Sequence, residues 1–221
     1  ADAAIRGSGD SAGIVRGLQH RIRGRATGCR TAQGSDVVCL NMGGALSELY
    51  QRLVIDHNRA PRNRRAVPGC TGHAHGHSPL CGDDLELRIR LENHRIADLG
   101  FDGEACAVAT ASASLLTEAC RGLSCTEALD LFRAMIGLVE GGEAGARARV
   151  EAVNPDLALL GSAVHAFPGR HKCARLPWAA LASLLAAQSG GPAIGPDPDL
   201  RISIGQGPGS DGAEPAVTEA S

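Results

Sequence analysis

The sequence predicts an α+β protein in which an antiparallel hairpin precedes a series of helices. From 84 to 92, leucine or isoleucine alternates with charged residues, as in a strand with one buried face. The same alternation returns from 97 to 101, after a turn predicted at 93–94, so the two strands are expected to pair. From 125 to 139, apolar residues recur at helical spacing instead. Strands followed by helices are typical of the α+β class.

The remaining helices are predicted from their ends and their apolar spacing. Ser47 can cap a first helix, which Ala60-Pro61 ends because a residue before proline avoids the helical conformation. Ser124 and Glu127 have the spacing of a capping box at the start of the helix near 125–139. Pro177 is expected in or near the first turn of the last helix. The further predicted helices are 106–120, about 143–152, about 155–160 and about 174–187.

Composition and pattern divide the chain into three parts. Residues 1–44 are rich in arginine and glycine, without a sustained period, and are predicted to be a disordered extension, with Met42 as a candidate initiator. Residues 45–188 are predicted to form the folded domain. Residues 189–221 are rich in glycine, proline and acidic residues and are predicted to be a disordered tail.

Charge and cysteine content limit the function classes. The formal net charge of −2 gives no general reason to expect nucleic acid or a membrane surface as partner. No apolar run approaches the roughly 20 residues that span a bilayer, and no signal peptide is recognisable, so a cytoplasmic protein is expected. In that compartment, eight cysteines favour metal binding or thiol chemistry over disulfides.

The sequence Cys81-Gly82-Asp83 predicts part of a metal site. A thiolate and a carboxylate on one short, flexible loop can bind the same zinc ion, which takes cysteine, histidine and carboxylate ligands in a tetrahedron. Two further ligands must then come from elsewhere in the chain. Cys106 and Cys173 are the candidates, since each lies at the start of a predicted helix, and the basic residues before Cys173 favour its thiolate.

Residues 66–80 are predicted to be a loop that carries Cys70, His73, His75 and His77. Alternating histidines can bind zinc or nickel weakly. Glycines interrupt the loop and fix no geometry, so these are interpreted as exposed loop histidines.

Taken together, several motifs resemble the U-type iron–sulfur cluster assembly proteins, the IscU/NifU/SufU family, and within it the SufU branch. The resemblance covers about 46–187. It rests on Asp56-His57 with Pro61-Arg62-Asn63, on Cys81-Gly82-Asp83, on Gly103-Glu104-Ala105-Cys106 with Ala111-Ser112-Ala113-Ser114, and on Arg170 to Trp178.

Two features are similar to SufU rather than IscU. Lys172 stands immediately before the third cysteine, where the IscU branch has a histidine, and roughly 140–165 corresponds to an insertion of the SufU branch. Ala105 departs from the family pattern, in which glycine is common, and both ends of the chain lie outside that pattern.

The resemblance implies a small antiparallel sheet covered on one side by helices, with a metal site at one end. It implies Cys81, Asp83, Cys106 and Cys173 as ligands of a zinc ion, Cys81 as acceptor of persulfide sulfur from a SufS-type cysteine desulfurase, and Arg170 as a supporting residue beside the site. Downstream iron–sulfur assembly proteins would be further partners.

Three functions therefore remain open at the level of sequence. The first is a zinc-dependent sulfur acceptor and carrier, a sulfurtransferase. The second is a scaffold on which the same four residues hold a transient [2Fe–2S] or [4Fe–4S] cluster. The third is a domain in which zinc is structural only, against which stands the mixed Cys/Asp ligand set.

Overall fold

The computed structural model describes residues 35–141, 144–189 and 199–207. These ranges contain a four-stranded antiparallel sheet and six α-helices, which confirms the α+β class. In chain order the elements are α1 (Ser35–Arg59), β1 (Gly72–Ser78), β2 (Asp83–Glu92), β3 (Arg95–Glu104), α2 (Ala107–Cys120), α3 (Cys125–Glu140), α4 (Ala146–Val153), α5 (Pro155–His165), the 3-10 turn Pro168–Arg170, α6 (His171–Ser189) and β4 (Arg201–Gln206).

The predicted hairpin is present as β2 and β3. Its turn residues Asn93 and His94 have φ of 50° and 59°, as in the two-residue turns that match strand twist. The register passes from Arg90 opposite Asp98 to Leu91 opposite Ile96, so Ala97 bulges out of the pairing. Ile96 is consequently buried in the core while Ala97 is only half-buried, a difference from the predicted alternation.

Helices α2 and α6 cover one face of the sheet, as the family resemblance implied. Trp178 of α6 is fully buried, and its indole N–H donates to Ser112 Oγ of α2 at 3.1 Å. The Ser112 hydroxyl in turn donates to the carbonyl of Ala174 at 2.7 Å. This chain of hydrogen bonds fixes the start of α6 against α2. None of the helices in the described ranges is long and apolar enough to cross a membrane.

The prediction of a loop over 66–80 is wrong for its second half, where β1 pairs with β2 and β4. The residues that face the core are small, and the histidines face outward. A Cβ on Gly76 would lie 3.0 Å from Leu176 Cδ1, so the missing side chain lets α6 approach closely. The strand was missed because its inward-facing residues are small, which allows close packing, and are not the β-branched residues that usually indicate a strand.

The C-terminal region also differs from prediction, because Arg201–Gln206 form the edge strand β4. Leu200, just before it, is buried. This strand was not predicted because it is short and lies among glycine and proline residues, although its isoleucines alternate. The rest of the predicted tail, 190–198 and 208–221, lies outside the described residues.

Helix bounds differ from prediction at several places. Helix α1 begins at Ser35 rather than after Ser47, and it continues through a glycine pair although glycine has low helix propensity. Predicted extension residues 1–34 lie outside the described ranges. Helix α4 begins at Ala146, and α5 extends to His165.

Helix α6 begins at His171, which places Pro177 inside the helix rather than in its first turn. Pro177 has no N–H to donate to the carbonyl of Cys173, four residues earlier. The 3-10 turn before α6 extends the helical conformation upstream, which the sequence pattern did not indicate.

Candidate metal and thiol site

The loop between β1 and β2 presents the Cys81 thiol. The backbone N–H groups of Cys81 and Gly82 both donate to the carbonyl of Ser78, at 3.2 and 2.8 Å, and form a tight turn. Gly82 has φ of 71°, a conformation that favours glycine. Cys81 is exposed, and Leu80 beside it is 70% exposed. The turn therefore presents the thiol at the surface beside an exposed apolar side chain.

Asp83, the first residue of β2, is 1% exposed. Its Oδ1 accepts the backbone N–H of Cys106 at 2.6 Å. Its Oδ2 is buried and accepts no hydrogen bond from the described residues. A buried carboxylate oxygen without a donor is unfavourable unless a cation or water compensates it.

The two remaining predicted ligands lie at helix starts, as expected. Cys106 is the N-cap of α2, where its Sγ accepts the N–H of Ala109 at 3.5 Å. Cys173 lies in the first turn of α6 and is fully buried. Its Sγ lies 3.5 Å from that of Cys81.

Three of the four predicted ligands meet in one group. The ligand atoms of Cys81, Asp83 and Cys173 all lie within 4.8 Å of one another, the one such group in the described part of the chain. Cys106 Sγ is outside that group but near it, since Cys173 has the largest influence on the pKa of Cys106. Two thiols, one buried carboxylate with an orphaned oxygen and a third thiol alongside are a donor set that suits zinc.

The pKa values of Cys106 and Cys173 are shifted in opposite directions. The hydrogen bond from Cys173, followed by backbone N–H groups at the start of α2, lowers the pKa of Cys106 to about 7, against the effect of burial. The same hydrogen bond, together with burial, raises the pKa of Cys173. Cys106 is therefore the thiol whose anion the surrounding groups stabilise, while the Cys173 thiol donates to Cys81 Sγ at 3.5 Å.

Arg170 is exposed and lies in the 3-10 turn directly before α6. Its charge acts on Tyr50 of α1, whose pKa burial raises and Arg170 lowers. The charges of Cys106 and Cys173 raise the pKa of the same phenol, so Tyr50 is close enough to feel both the arginine and the thiols. Arg170 is thus near the site through Tyr50, and the structure gives it no direct contact with a predicted ligand.

Sequence reasoning missed Tyr50 as a neighbour of the site. Its ring stacks on Phe167, with centroids 6.5 Å apart, and Phe167 is itself 53% exposed. Tyr50 is the one tyrosine of the sequence, but a single aromatic residue on a helix gives no signal of its neighbours.

A second feature missed by sequence reasoning joins the site to the C-terminal region. Lys172 Nζ lies 2.8 Å from Asp199 Oδ2, a partly exposed ion pair one residue before Cys173. Asp199 lies in the region predicted to be disordered, so this ion pair could not be predicted from the sequence pattern.

The motif Asp56-His57 positions α1 rather than the thiols. His57 is buried, and its Nδ1 lies 2.8 Å from Ser114 Oγ of α2. The backbone N–H of Arg62 donates to the same hydroxyl at 2.8 Å, and Arg62 also binds Asp56 at 2.5 Å. These bonds attach the end of α1 to the helix that Cys106 begins.

Comparison with known proteins places these motifs in a family. Residues 49–174 match the model of the NifU-like N-terminal domain. The zinc-dependent sulfurtransferase SufU of Bacillus subtilis is 32% identical over 152 residues, which cover 69% of this chain and 99% of the relative. The iron–sulfur cluster assembly scaffold protein IscU of Streptococcus pyogenes is 34% identical over 141 residues, covering 62% and 82%.

A solved structure shows the same fold. FiSufU from Fervidobacterium islandicum AW-1, a candidate iron–sulfur cluster assembly scaffold protein for the SUF system, is 25% identical and superposes with a TM-score of 0.55. The match covers 62% of this chain and 97% of that protein. Both named branches of the family are therefore represented among proteins similar to this chain.

Proposed function

Because the chain belongs to the NifU-like N-terminal domain family of iron–sulfur cluster assembly proteins, we propose that it is a zinc-dependent sulfur acceptor that takes persulfide sulfur from a SufS-type cysteine desulfurase. One observation carries the proposal: exposed Cys81 lies in the same donor group as buried Cys173 and Asp83. Structural zinc sites are typically closed. A sulfur acceptor instead needs a ligand thiol that a partner can reach.

The proposed zinc ligands are Cys81, Asp83, Cys106 and Cys173. Zinc would hold these thiols as thiolates at neutral pH, because the ion replaces the thiol proton. The orphaned Oδ2 of Asp83 is a ready ligand atom. A hard carboxylate binds this borderline metal less durably than a fourth thiolate would, which favours a site whose ligands exchange.

In the proposed transfer, the Cys81 thiolate attacks the outer sulfur of the desulfurase's cysteine persulfide. An S–S bond forms at Cys81 Sγ, the S–S bond to the desulfurase cysteine breaks, and that cysteine leaves as a thiolate. The step needs no external oxidant or reductant, since one sulfur atom passes between two thiolates. Exposed Leu80 and Phe167 give the rim of the site apolar surface on which a partner can dock.

Arg170 is proposed as a supporting residue. It is exposed near Tyr50 and the site thiols, so its positive charge favours the approach of an anionic persulfide. This role is electrostatic and does not require contact with a ligand.

A second candidate function is supported by the IscU relative at 34% identity. In that reading, the same four residues hold a nascent iron–sulfur cluster as cargo and hand it to an acceptor protein. Three thiols and a labile carboxylate also suit transient binding of iron. The two functions differ in the metal found in the isolated protein and in the response of the desulfurase.

The test of sulfur transfer uses Cys81→Ser with Cys70→Ser as matched control. Cys70 is also a free, partly buried cysteine, but its thiol donates to the carbonyl of Gly72 at 3.1 Å, at the far end of β1. After incubation with desulfurase and cysteine, mass spectrometry should find an adduct of ~32 Da, one sulfur atom, on wild type and on Cys70→Ser. Cys81→Ser should carry none, because a hydroxyl cannot replace the thiolate.

Metal analysis completes the test. Protein purified without added metal should contain one equivalent of zinc, and Cys106→Ala should lose it and melt at a lower temperature, because metal binding stabilises the fold. Persulfide on Cys81→Ser together with full desulfurase stimulation would transfer the acceptor role to Cys106 or Cys173. Iron in place of zinc, with no stimulation of the desulfurase, would favour the scaffold.

A further inference from the structure

The strand β1 carries a row of histidines on the face of the sheet opposite the helices. His73, His75 and His77 are half-buried and alternate with residues buried against α6. Side chains two residues apart on a strand share one face, so the three rings lie side by side. Pairing on both edges, with β2 and β4, fixes the backbone that presents them.

Asp84 of β2 faces two of these rings. It lies directly opposite His77 in the register. Its Oδ1 is 2.6 Å from His75 Nε2, and its Oδ2 is 3.4 Å from His77 Nδ1. The nitrogen of His77 is inaccessible to solvent and forms no hydrogen bond with the described residues. Two imidazoles thus converge on one carboxylate, and one of their nitrogens is left unsatisfied.

We propose that His75, His77 and Asp84 form a second metal site, which binds one divalent transition-metal ion such as Ni²⁺ or Zn²⁺. Imidazole suits these ions, and a carboxylate is an accepted third ligand. Water would complete the coordination, because the site opens to solvent. With no thiol, it differs chemically from the Cys81 group.

The two sites are separated by the sheet. Asp83 and Asp84 are adjacent on β2, so their side chains point to opposite faces. Asp83 is buried on the helix side, whereas the side chain of Asp84 is 49% exposed on the other. Neither carboxylate can serve both sites, which makes their metal contents independently measurable.

Binding requires a small rearrangement. The two ring nitrogens now contact different oxygens of Asp84, so an ion must replace these contacts and the rings must turn toward one point. The side chains of His75 and His77 are 44% and 36% exposed, which leaves room for rotation about χ1 and χ2. Loss of the imidazole contacts is compensated by metal bonds, and the unsatisfied nitrogen of His77 gains a partner.

The charges around the site allow a cation. Glu86 lies opposite His75 and pairs with Arg88, while Glu104 lies opposite Asp84 on β3. Arg88 and Arg64 each lie beside one of these glutamates. Arg201 of β4 lies opposite His77 and is exposed, and its repulsion is one that the ion must overcome. An exposed arginine can turn into solvent, where its charge is screened.

The test measures nickel binding to the full-length protein as purified, by equilibrium dialysis with both nickel and zinc counted by mass spectrometry. Wild type should bind one equivalent of Ni²⁺ with its zinc content unchanged. His75→Ala and His77→Ala should each weaken nickel binding at least about tenfold, as should Asp84→Asn. His73→Ala is the matched control: it removes a histidine from the same strand and face, but one that lies opposite Arg88, and nickel binding should persist.

Cobalt gives an independent readout. Co²⁺ bound at the proposed site should show ligand-field bands without the intense charge-transfer absorption that thiolate ligands produce. Failure of wild type to bind nickel, or equal binding by wild type and His75→Ala/His77→Ala, would overturn the proposal. The test compares the nickel bound by wild type with the nickel bound by the histidine variants. Its outcome therefore does not depend on whether the Cys81 group holds zinc or iron.

Discussion

Adjacent residues of this chain take opposite roles because a strand alternates its side chains. Asp83 faces the thiols of Cys81 and Cys173, and Asp84 faces the half-buried histidines of β1. A slip of one residue in the register of β2 would exchange the two carboxylates and destroy both arrangements. The register is therefore as important to the candidate site as the identity of its ligands.

At the same scale, Gly103 allows the close approach of β3 to the backbone of β2 at Asp84 and Leu85. Its φ is 123°, and an added Cβ would lie 2.2 Å from the carbonyl oxygen of Asp84. We expect Gly103→Ala to lower the free energy of unfolding by about 3 kcal/mol or more, from backbone strain plus overlap with a neighbouring strand. Urea denaturation measures the change.

Gly122→Ala is the control for that prediction. Gly122 also has a positive φ, of 84°, but an added Cβ would meet no atom within 4 Å. Only the strain applies, so a loss of about 1–2 kcal/mol is expected. Equal losses of unfolding free energy in the two variants would show that the overlap at Gly103 adds no cost beyond the backbone strain.

The buried His57 makes stability depend on pH. Burial, with the nearby charge of Arg62, lowers the pKa of His57 below its ordinary value of 6.5. The unfolded chain therefore takes up a proton before the folded protein does as pH falls. The stabilisation is complete above pH 6.5 and is lost progressively below it, by up to ~1.4 kcal/mol per pH unit.

His57→Asn should remove this dependence, since the asparagine amide can replace the ring's bond to Ser114 but does not titrate. Unfolding free energies between pH 7.5 and 5.5 should fall less steeply for the variant than for wild type. His94→Asn is the control, because His94 is exposed in a turn whose positive φ asparagine tolerates. A wild-type slope in His57→Asn would contradict the assignment.

The site shows what residue patterns can predict. Cys81 and Asp83 are neighbours in sequence, and a loop between strands keeps them together. Cys106 and Cys173 were chosen because each lies at the start of a predicted helix; in the structure Cys106 is the N-cap of α2 and Cys173 lies in the first turn of α6. The proximity of Tyr50 could not be predicted, since it depends on how α1 lies against the helices that follow.

At the scale of elements, the predictions succeeded where the pattern was local. The hairpin and α3 follow from alternation and a capping box, and both are present. Strand β1 was missed because its inward residues are glycine, alanine and serine, which carry no hydrophobic signal. Their role becomes visible only once α6 is placed against them, which is a long-range relation.

At the scale of the molecule, β4 closes the sheet from outside the region matched by the family model, which ends at 174. Without it, β1 would be an edge strand with a row of unpaired backbone groups. The same segment brings Asp199 to Lys172, beside Cys173. The C-terminal segment therefore contributes both to the sheet and to the surroundings of the thiol site.

The last prediction follows from this closure and compares a chain ended after Gly207 with one ended after Pro198. The shorter chain loses the pairing of β4 with β1 and the burial of Leu200. We expect its free energy of unfolding to be lower by about 2–3 kcal/mol, mostly from lost apolar burial. The partly exposed ion pair of Lys172 should add little, about 0–1 kcal/mol. Urea denaturation measures the difference, and sedimentation measures association through the uncovered edge of β1, which should increase.

Leu200→Ser in the longer chain separates the effect of apolar burial from that of strand pairing, because it removes the burial and keeps the strand. It should show most of the loss in unfolding free energy without the association. Equal stability and equal sedimentation of the two truncated chains would show that β4 is dispensable to the sheet.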